Sequence, residues 1–271
     1  MPRRDDFDDR PRRRDDNRDD DDRLRRRPVP SGSNKTIIIV VVAVLGLLLV
    51  GCGGGVVALL VYSTAKVREA TVRVKDSNNL KVLGLALHTH HDATGAIAGP
   101  FAIGTTGAVN PGLSMRVGIL PYMEQDAVYR MIDRDQAWDS PRNAAATSQP
   151  IRDLQSPWSP TAGNATPYRA FVGGGALFSA DGKPFKLGEV PDGISNTILL
   201  VHATETVPWA EPRELPYSRA TPLPKLGPAN GPGGYNVLMA DGSVRYLRNT
   251  PEPILRLLIE KADGQVIPPF E

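Results

Sequence analysis

Residues 36–62 read TIIIVVVAVLGLLLVGCGGGVVALLVY. From residue 37 to residue 62 the run has no charged side chain over 26 residues and lacks the polar face that a soluble core helix shows. At about 1.5 Å per residue, such a helix is about 39 Å long, which exceeds the hydrocarbon thickness of a bilayer, about 30 Å. The stretch therefore predicts a transmembrane helix over residues 36–62, with the lipid bilayer as its partner.

The segment before this run alternates blocks of arginine and aspartate. Residues 1–30 contain 11 Arg and 10 Asp, and the large apolar side chains are limited to Phe7, Leu24 and Val29. This composition buries too little apolar surface to offset chain entropy, so residues 1–35 are predicted to be a disordered tail. Two interpretations stay open: a solvated spacer, or an arm that docks onto a charged partner or anionic lipid.

Charge and cysteine content exclude several classes of protein. Outside residues 1–30 the chain carries 21 basic and 20 acidic side chains. This balance argues against nucleic acid as a partner, because nucleic-acid-binding proteins show a basic excess. The single cysteine, Cys52, excludes an intrachain disulfide framework and a cysteine-based zinc site.

Cys52 also raises an alternative to the membrane span. Residues 49–52 read LVGC, which fits a bacterial lipoprotein cleavage site, so Cys52 is a candidate lipidation site. A typical signal has a short basic region before its apolar run, whereas here about 35 residues precede it. The apolar run also continues past Cys52. These features favour the span over the lipoprotein.

The glycines at positions 51, 53, 54 and 55 allow close approach of a second helix, so self-association is a further expectation. Basic residues flank the run on both sides and only slightly favour a cytoplasmic N-terminus. The expected location is the bacterial inner (cytoplasmic) membrane, single-pass, with residues 63–271 extracytoplasmic.

Residues 63–271 are long enough for one sizeable domain. Helical spacing predicts a helix over residues 63–92, followed by a glycine-rich loop over 95–118 and a short helix that begins at Pro121. Residues 205–232 are expected to be an irregular, proline-rich excursion. Strand-like runs lie at 168–172, 197–202, 236–239 and 244–247, and a C-terminal helix is predicted over 251–262. The Asp241-Gly242 pair predicts a hairpin, so the fold class is α+β with an antiparallel sheet.

Several blocks resemble the bacterial prepilin-like family called domain of unknown function 1559, also described by an H-x9-DG signature. The match spans roughly residues 62–248, with the blocks in the family's order. The blocks are KVREA (66–70), SNNLK (77–81), GLALH (84–88), LPYMEQ (120–125), WDSPRN (138–143), PDGISNTI (191–198) and NVLMADGSV (236–244).

The resemblance implies a pilin-like fold, in which a long N-terminal transmembrane helix continues into a globular, mostly β head. It implies pilin-like partners but no established activity. The chain departs from the family in three ways. It lacks the prepilin leader, Gly231 stands where the histidine of the H-x9-DG signature would fall, and Ser156-Pro157 stands in place of the family's Cys-Pro block.

The densest polar cluster is formed by His88, His90, His91 and Asp92. His88, His91 and Asp92 are helix-spaced and are weak candidates for metal ligands. The alternative is a helix C-terminus at which the imidazoles meet the last carbonyls. Asp192 and Asp241, each before a glycine, are weak candidates for calcium ligands, although Asp-Gly pairs more often form turns. No catalytic set stands at a recognisable spacing, and no cofactor is expected.

Two classes of function remain. The first is a membrane-anchored, pilin-like cell-envelope protein with a structural or assembly role and no enzymatic activity. The second is a tethered periplasmic domain that binds a ligand or catalyses a reaction, and this class requires a pocket with convergent polar groups. A pocket ringed by His88, His91, Asp192 or Asp241 would favour the second class.

Overall fold

The computed structural model describes residues 34–158, 163–229, 231 and 233–269, without the side chains of residues 34, 37 and 48–65. The chain divides into two compact units, of which the first ends at Leu59 and the second begins at Leu60. Residues 1–33 of the predicted tail lie outside the described residues, as does the side chain of Cys52.

Among the described residues, no helix combines the length and the apolar character needed to cross a membrane. The side chains of residues 48–62, which belong to the predicted transmembrane segment, lie outside that description. The helix predicted over residues 63–92 is confirmed as part of α1, Asn34–Thr94.

The remaining elements are short and all lie in the second unit. The helices are α2 (Met115–Ile119), α3 (Asp126–Met131), α4 (Ala144–Thr147) and α5 (Glu252–Ile259), with 3₁₀ turns at Leu120–Met123, Arg152–Leu154 and Leu187–Glu189. The strands are β1 (Phe101–Ile103), β2 (Val109–Ser114), β3 (Ala165–Arg169), β4 (Phe171–Val172), β5 (Ile198–Pro208), β6 (Leu215–Pro216), β7 (Gly234–Met239) and β8 (Val244–Arg248).

The main sheet has four antiparallel strands in the order β3-β5-β7-β8. The predicted hairpin is confirmed: β7 and β8 pair from Gly234↔Arg248 to Leu238↔Val244. Gly242, in the connecting turn, has φ 83°, a conformation that glycine adopts without steric cost. Two smaller sheets pair β1 with β2 antiparallel and β4 with β6 parallel. The mixed fold with antiparallel sheets agrees with the α+β prediction.

Both faces of the main sheet are covered by apolar side chains. Along β7, Leu238 belongs to the same buried cluster as Leu80, Leu83 and Leu87 of α1. Its neighbours Val237 and Met239 belong to a second cluster, with Leu255, Leu258 and Ile259 of α5. Successive side chains of a strand point to opposite faces, so α1 covers one face of the sheet and α5 the other.

Gly84 allows α1 to lie close to the sheet. A β-carbon built on Gly84 would lie 2.8 Å from Cδ1 of Leu238 and 3.7 Å from the α-carbon of Gly242. The first distance is shorter than a normal contact. A larger residue at this position would have to displace the side chain of Leu238.

Several sequence-based expectations were wrong in detail. The loop predicted over residues 95–118 contains β1, β2 and the start of α2. The helix predicted from Pro121 is interrupted at Glu124, which has φ 60°. The strand predicted over 168–172 is divided into β3 and β4, and the irregular excursion over 205–232 begins with the last residues of β5 and includes β6. The C-terminal helix is confirmed as α5.

Candidate functional site

Asp76 is the centre of a buried polar network between α1 and the main sheet. Its side chain is almost fully buried, with 1% exposed. Oδ1 accepts a hydrogen bond from the hydroxyl of Tyr168 (2.8 Å) and lies 2.8 Å from Nδ1 of His202. Oδ2 accepts a hydrogen bond from Nδ2 of Asn236 at 2.7 Å. Strands β3, β5 and β7 each provide one partner, so a single helical carboxylate connects three strands.

The network is closed to solvent. Tyr168 and His202 face each other in the β3–β5 pairing and their rings meet edge to face at 5.7 Å. Burial, followed by the charge of Asp76, raises the pKa of Tyr168 well above its ordinary value, which keeps the phenol protonated as a donor. Because the groups satisfy one another and admit no substrate, the network positions α1 against the sheet.

A second buried polar group fixes the chain after β5. Arg116 of α2 is 1% exposed, and its Nη1 lies 2.8 Å from Oε1 of Glu214 in an ion pair. The same guanidinium donates to the backbone carbonyls of Trp209 (2.7 Å), Tyr168 (3.0 Å) and Glu211 (3.1 Å). One arginine therefore joins α2, β3 and the proline-rich excursion.

The three helical candidates from the sequence do not converge on one site. His88 has a buried Nε2 without a hydrogen-bond partner among the described residues, and a β-carbon built on Gly242 would lie 3.4 Å from it. His91 faces the neighbouring Asp92, with 3.4 Å between Nδ1 and Oδ1. The side chain of Asp92 is 82% exposed. The structure thus brings His88 to the hairpin turn and leaves the other two at the surface.

The carboxylates of the two calcium candidates accept hydrogen bonds from backbone N–H groups. The carboxylate of Asp192 accepts the backbone N–H groups of Asp263 (2.6 Å) and Gly264 (3.0 Å), which fixes the segment after α5. Asp241 accepts the N–H of Ser243 at 2.8 Å within the hairpin. In the described part of the chain, no three His, Cys, Asp or Glu side chains are grouped so that they could hold a metal ion. Metal binding by these residues stays a prediction.

A cavity of about 400 Å³ lies beside the C-terminal end of α1. Small-molecule sites in proteins measure roughly 300–1,000 Å³, so the volume is that of a binding pocket. The rings of Phe101, Tyr122 and Tyr129 contribute to its walls. The other lining residues come from the end of α1 and the turn after it, from β1 and from α2, together with Pro121, Arg134 and Pro184.

His90, rather than His88 or His91, is the histidine that lines this cavity. Its ring meets Tyr122 edge to face at 5.7 Å. Nδ1 lies 3.1 Å from the carbonyl oxygen of Ala96, so Nδ1 carries the proton and donates it. Burial lowers the pKa of His90, which keeps the ring neutral at pH 7 and leaves Nε2 as an acceptor.

Arg134 is the charged side chain of the lining. Its guanidinium carbon lies 5.2 Å from the centroid of the Tyr129 ring, a cation–π contact. The neighbouring carboxylate of Asp135 accepts the backbone N–H of Thr105 (2.8 Å) and its hydroxyl, and these hydrogen bonds lower the pKa of Asp135. Among the described residues that line the cavity, none is a carboxylate.

Gly118 of α2 leaves part of the cavity open. It belongs to the lining, and a β-carbon built on it would meet no atom within 4 Å beyond its own helix backbone and chain neighbours. A side chain added at this position would therefore enter the cavity without displacing a neighbour.

Sequence reasoning missed both sites for different reasons. Asp76 lies four residues before Leu80, so it shares the helical stripe of Leu80, Leu83 and Leu87. A charged residue in an otherwise apolar stripe is a signal that could have identified it. The cavity gives no comparable signal, because its lining comes from segments that are separate in sequence.

Comparison with known proteins gives one match. A family model described as a protein of unknown function (DUF1559) matches residues 65–223, more than half of the 271-residue chain. The match ends before β7, so the NVLMADGSV block lies beyond it. No curated protein matches the chain, and no solved structure matches it. From the blocks of sequence and the matched family model, the chain belongs to the DUF1559 family of proteins of unknown function.

Proposed function

We propose that this DUF1559 protein is a single-pass protein of the bacterial cell envelope with a structural or assembly role. In this proposal residues 36–62 cross the inner membrane, and residues 63–271 form a pilin-like head on the extracytoplasmic side. Partner molecules would be the bilayer, further copies of the chain or pilin-like proteins.

One observation carries the proposal: the described apolar side chains of the first unit are exposed. Between 49 and 78% of the surface of eight large side chains is accessible. A contiguous apolar surface of this kind marks a membrane or protein interaction site. The eight residues are Ile38, Ile39, Val40, Val41, Val42, Val44, Leu45 and Leu47.

Membrane extraction tests the anchor. The full chain, with a reporter at each end, is expressed in a bacterium and its membranes are washed with alkaline carbonate. We expect the wild type to stay in the membrane pellet and Val41→Arg/Val44→Arg to be released, because two buried guanidinium groups oppose insertion. Val67→Arg, a matched change at another exposed valine of α1, should stay in the pellet. A wild type found in the soluble fraction would refute the anchor.

Topology and processing are tested in the same cells. Protease added to spheroplasts should digest the head. In untreated cells, the mass of the mature protein should equal that of the full chain. If the mass instead shows loss of residues 1–51 with a lipid adduct that Cys52→Ala removes, the span is wrong and the protein is a lipoprotein. Cross-linking in these cells should give multimers if the chain assembles.

The cavity beside α1 favours a second candidate, a tethered ligand-binding domain. His88, His91, Asp192 and Asp241, the residues first expected to surround such a pocket, are not among its described lining. The support comes from different residues, namely His90, Arg134 and the aromatic walls. The hydroxyl of Thr94, which also lines the cavity, donates to the backbone carbonyls of His90 (2.8 Å) and Ala96 (3.0 Å), so binding is preferred over catalysis for this candidate.

A further inference from the structure

We propose that the cavity beside α1 binds a small carboxylate that has an aromatic or other flat apolar body. The inference does not depend on the membrane anchor, since every residue that carries it lies in the second unit.

The walls select the apolar body. Phe101, Tyr122 and Tyr129 present aromatic surface, and at about 400 Å³ the cavity holds a single-ring compound. Aromatic faces and edges bind another ring with an energy beyond simple area burial.

The charge of the lining selects the anion. Arg134 is half-buried and no carboxylate lines the cavity with it. Of the two acidic residues that flank Arg134 in sequence, Asp133 forms an ion pair with Arg142 at 3.2 Å, and Asp135 accepts two hydrogen bonds from Thr105. A guanidinium binds a carboxylate in a bidentate, charge-assisted geometry, whereas a cationic ligand would meet repulsion and no counter-charge.

The two remaining polar features define the orientation. Neutral His90 offers an acceptor nitrogen, and it lies at the Tyr122 wall. The ligand carboxylate therefore belongs beside Arg134, and a hydroxyl or N–H group on the ring would suit the His90 side. Gly118, also in the lining, adds no side chain that would compete for this space.

Methionine NMR gives a local readout of binding. Met115 lines the cavity, whereas Met239 lies in the second buried cluster. The full chain is purified in mild detergent with ¹³C-methyl methionine and titrated with sodium phenylacetate or neutral phenylacetamide at constant ionic strength. Met115→Leu assigns the signal. We expect phenylacetate to move the Met115 signal with about millimolar affinity and to leave Met239 unmoved.

Three variants test the assignment. Gly118→Leu should abolish the response to both probes, and Gly188→Leu, at another glycine with open space, should not change it. Arg134→Gln should weaken the affinity for phenylacetate by about tenfold or more, because one charge-assisted pair is lost. The affinity for phenylacetamide should stay unchanged. Circular dichroism melting curves confirm that each variant is folded.

Several outcomes would overturn the proposal. Equal affinity of the two probes for the wild type would show that the cavity does not select a carboxylate by charge. Unchanged phenylacetate binding in Arg134→Gln or in folded Gly118→Leu would place the ligand elsewhere. No movement of Met115 with phenylacetate would refute the site itself. If Gly118→Leu fails to fold, Arg134→Gln decides the result, because the half-buried side chain of Arg134 can be replaced without opening the core.

Discussion

Asp76 places a charge in the interface between a helix and a sheet, and the chain satisfies that charge completely. Tyr168, His202 and Asn236 come from three strands, and each directs a polar atom at the same carboxylate. A buried carboxylate is tolerated only when such partners are present, since its desolvation is costly. The residue therefore specifies which helical face meets the sheet.

Replacement of Asp76 by asparagine should lower the free energy of unfolding by about 2–4 kcal/mol. The amide removes the charge and presents an NH₂ group to the donors of Tyr168 or Asn236. Asp92→Asn, an exposed position on the same helix, should change stability by less than about 0.5 kcal/mol. Denaturant unfolding of the full chain measures both, and equal midpoints for the two variants would contradict the structural role of Asp76.

The stability of the protein at alkaline pH should depend on Tyr235. Burial raises the pKa of this phenol to about 12, from an ordinary value of 10.0. Between these values the folded chain keeps the proton that the unfolded chain releases. The contribution to stability is therefore complete below pH 10 and is lost as the pH rises towards 12.

Tyr235→Phe should make the free energy of unfolding fall less steeply between pH 10 and pH 12. The difference in slope should correspond to about one proton per molecule. A residual decline is expected from Tyr168, whose pKa burial also raises. Unfolding curves from pH 8 to pH 12 provide the measurement, and pH 8 serves as the reference at which the variant should show no proton effect. An unchanged slope would mean that Tyr235 has the same pKa in the folded and unfolded chains.

Among the elements, those with a local signal could be predicted. The β7–β8 hairpin follows from its Asp-Gly turn, and α5 from its helical spacing. By contrast, β1 and β2 lie in a stretch rich in Gly and Pro, which resembles a loop, and they are strands only because they pair with each other. The β4–β6 pair joins residues more than 40 positions apart, so no local pattern could predict it.

The ion pair between Arg116 and Glu214 connects elements that the sequence keeps far apart. Arg116→Met should destabilise the protein by about 3–5 kcal/mol, because it leaves a buried carboxylate without its cation and several carbonyls without a donor. The double variant Arg116→Met/Glu214→Gln should lose less than the sum of the single changes.

Arg130→Met is the matched control for this cycle. Arg130 pairs with Asp126 on the surface of α3, with 78% of its side chain exposed, so the change should cost less than about 0.5 kcal/mol. Denaturant unfolding gives the free energies of unfolding of the two single variants, the double variant and the control. Strict additivity of the two buried changes would show that the pair is not coupled.

At the scale of the whole molecule, the two compact units separate at Leu59 and Leu60. We expect a chain that starts at residue 60 to unfold cooperatively within a few degrees of the full chain, because it keeps Asp76 and the leucine stripe. A chain that starts at residue 80 loses Asp76 and Asn79 and should not unfold cooperatively. Circular dichroism melting distinguishes them, and cooperative melting of the shorter chain would show that the Asp76 network is dispensable.

The family was accessible from sequence because it depends on blocks of adjacent residues. The candidate pocket was not, because His90, Phe101, Tyr129 and Arg134 come from different elements and meet only after folding. Three of the four histidines lie within four residues of one another, and only the tertiary structure distinguishes His90 from its neighbours.

The hydrogen bond between Asp76 and Asn236 joins residues 160 positions apart. A ribosome that adds about 5–20 residues per second needs roughly 8–32 s to cover that distance. During this interval the leucine stripe of α1 has been synthesised but its strand β7 has not. The aspartate that is buried in the finished protein is then a hydrated charge beside the exposed apolar leucine stripe. We therefore expect the carboxylate that later specifies docking to oppose premature association of the nascent helix.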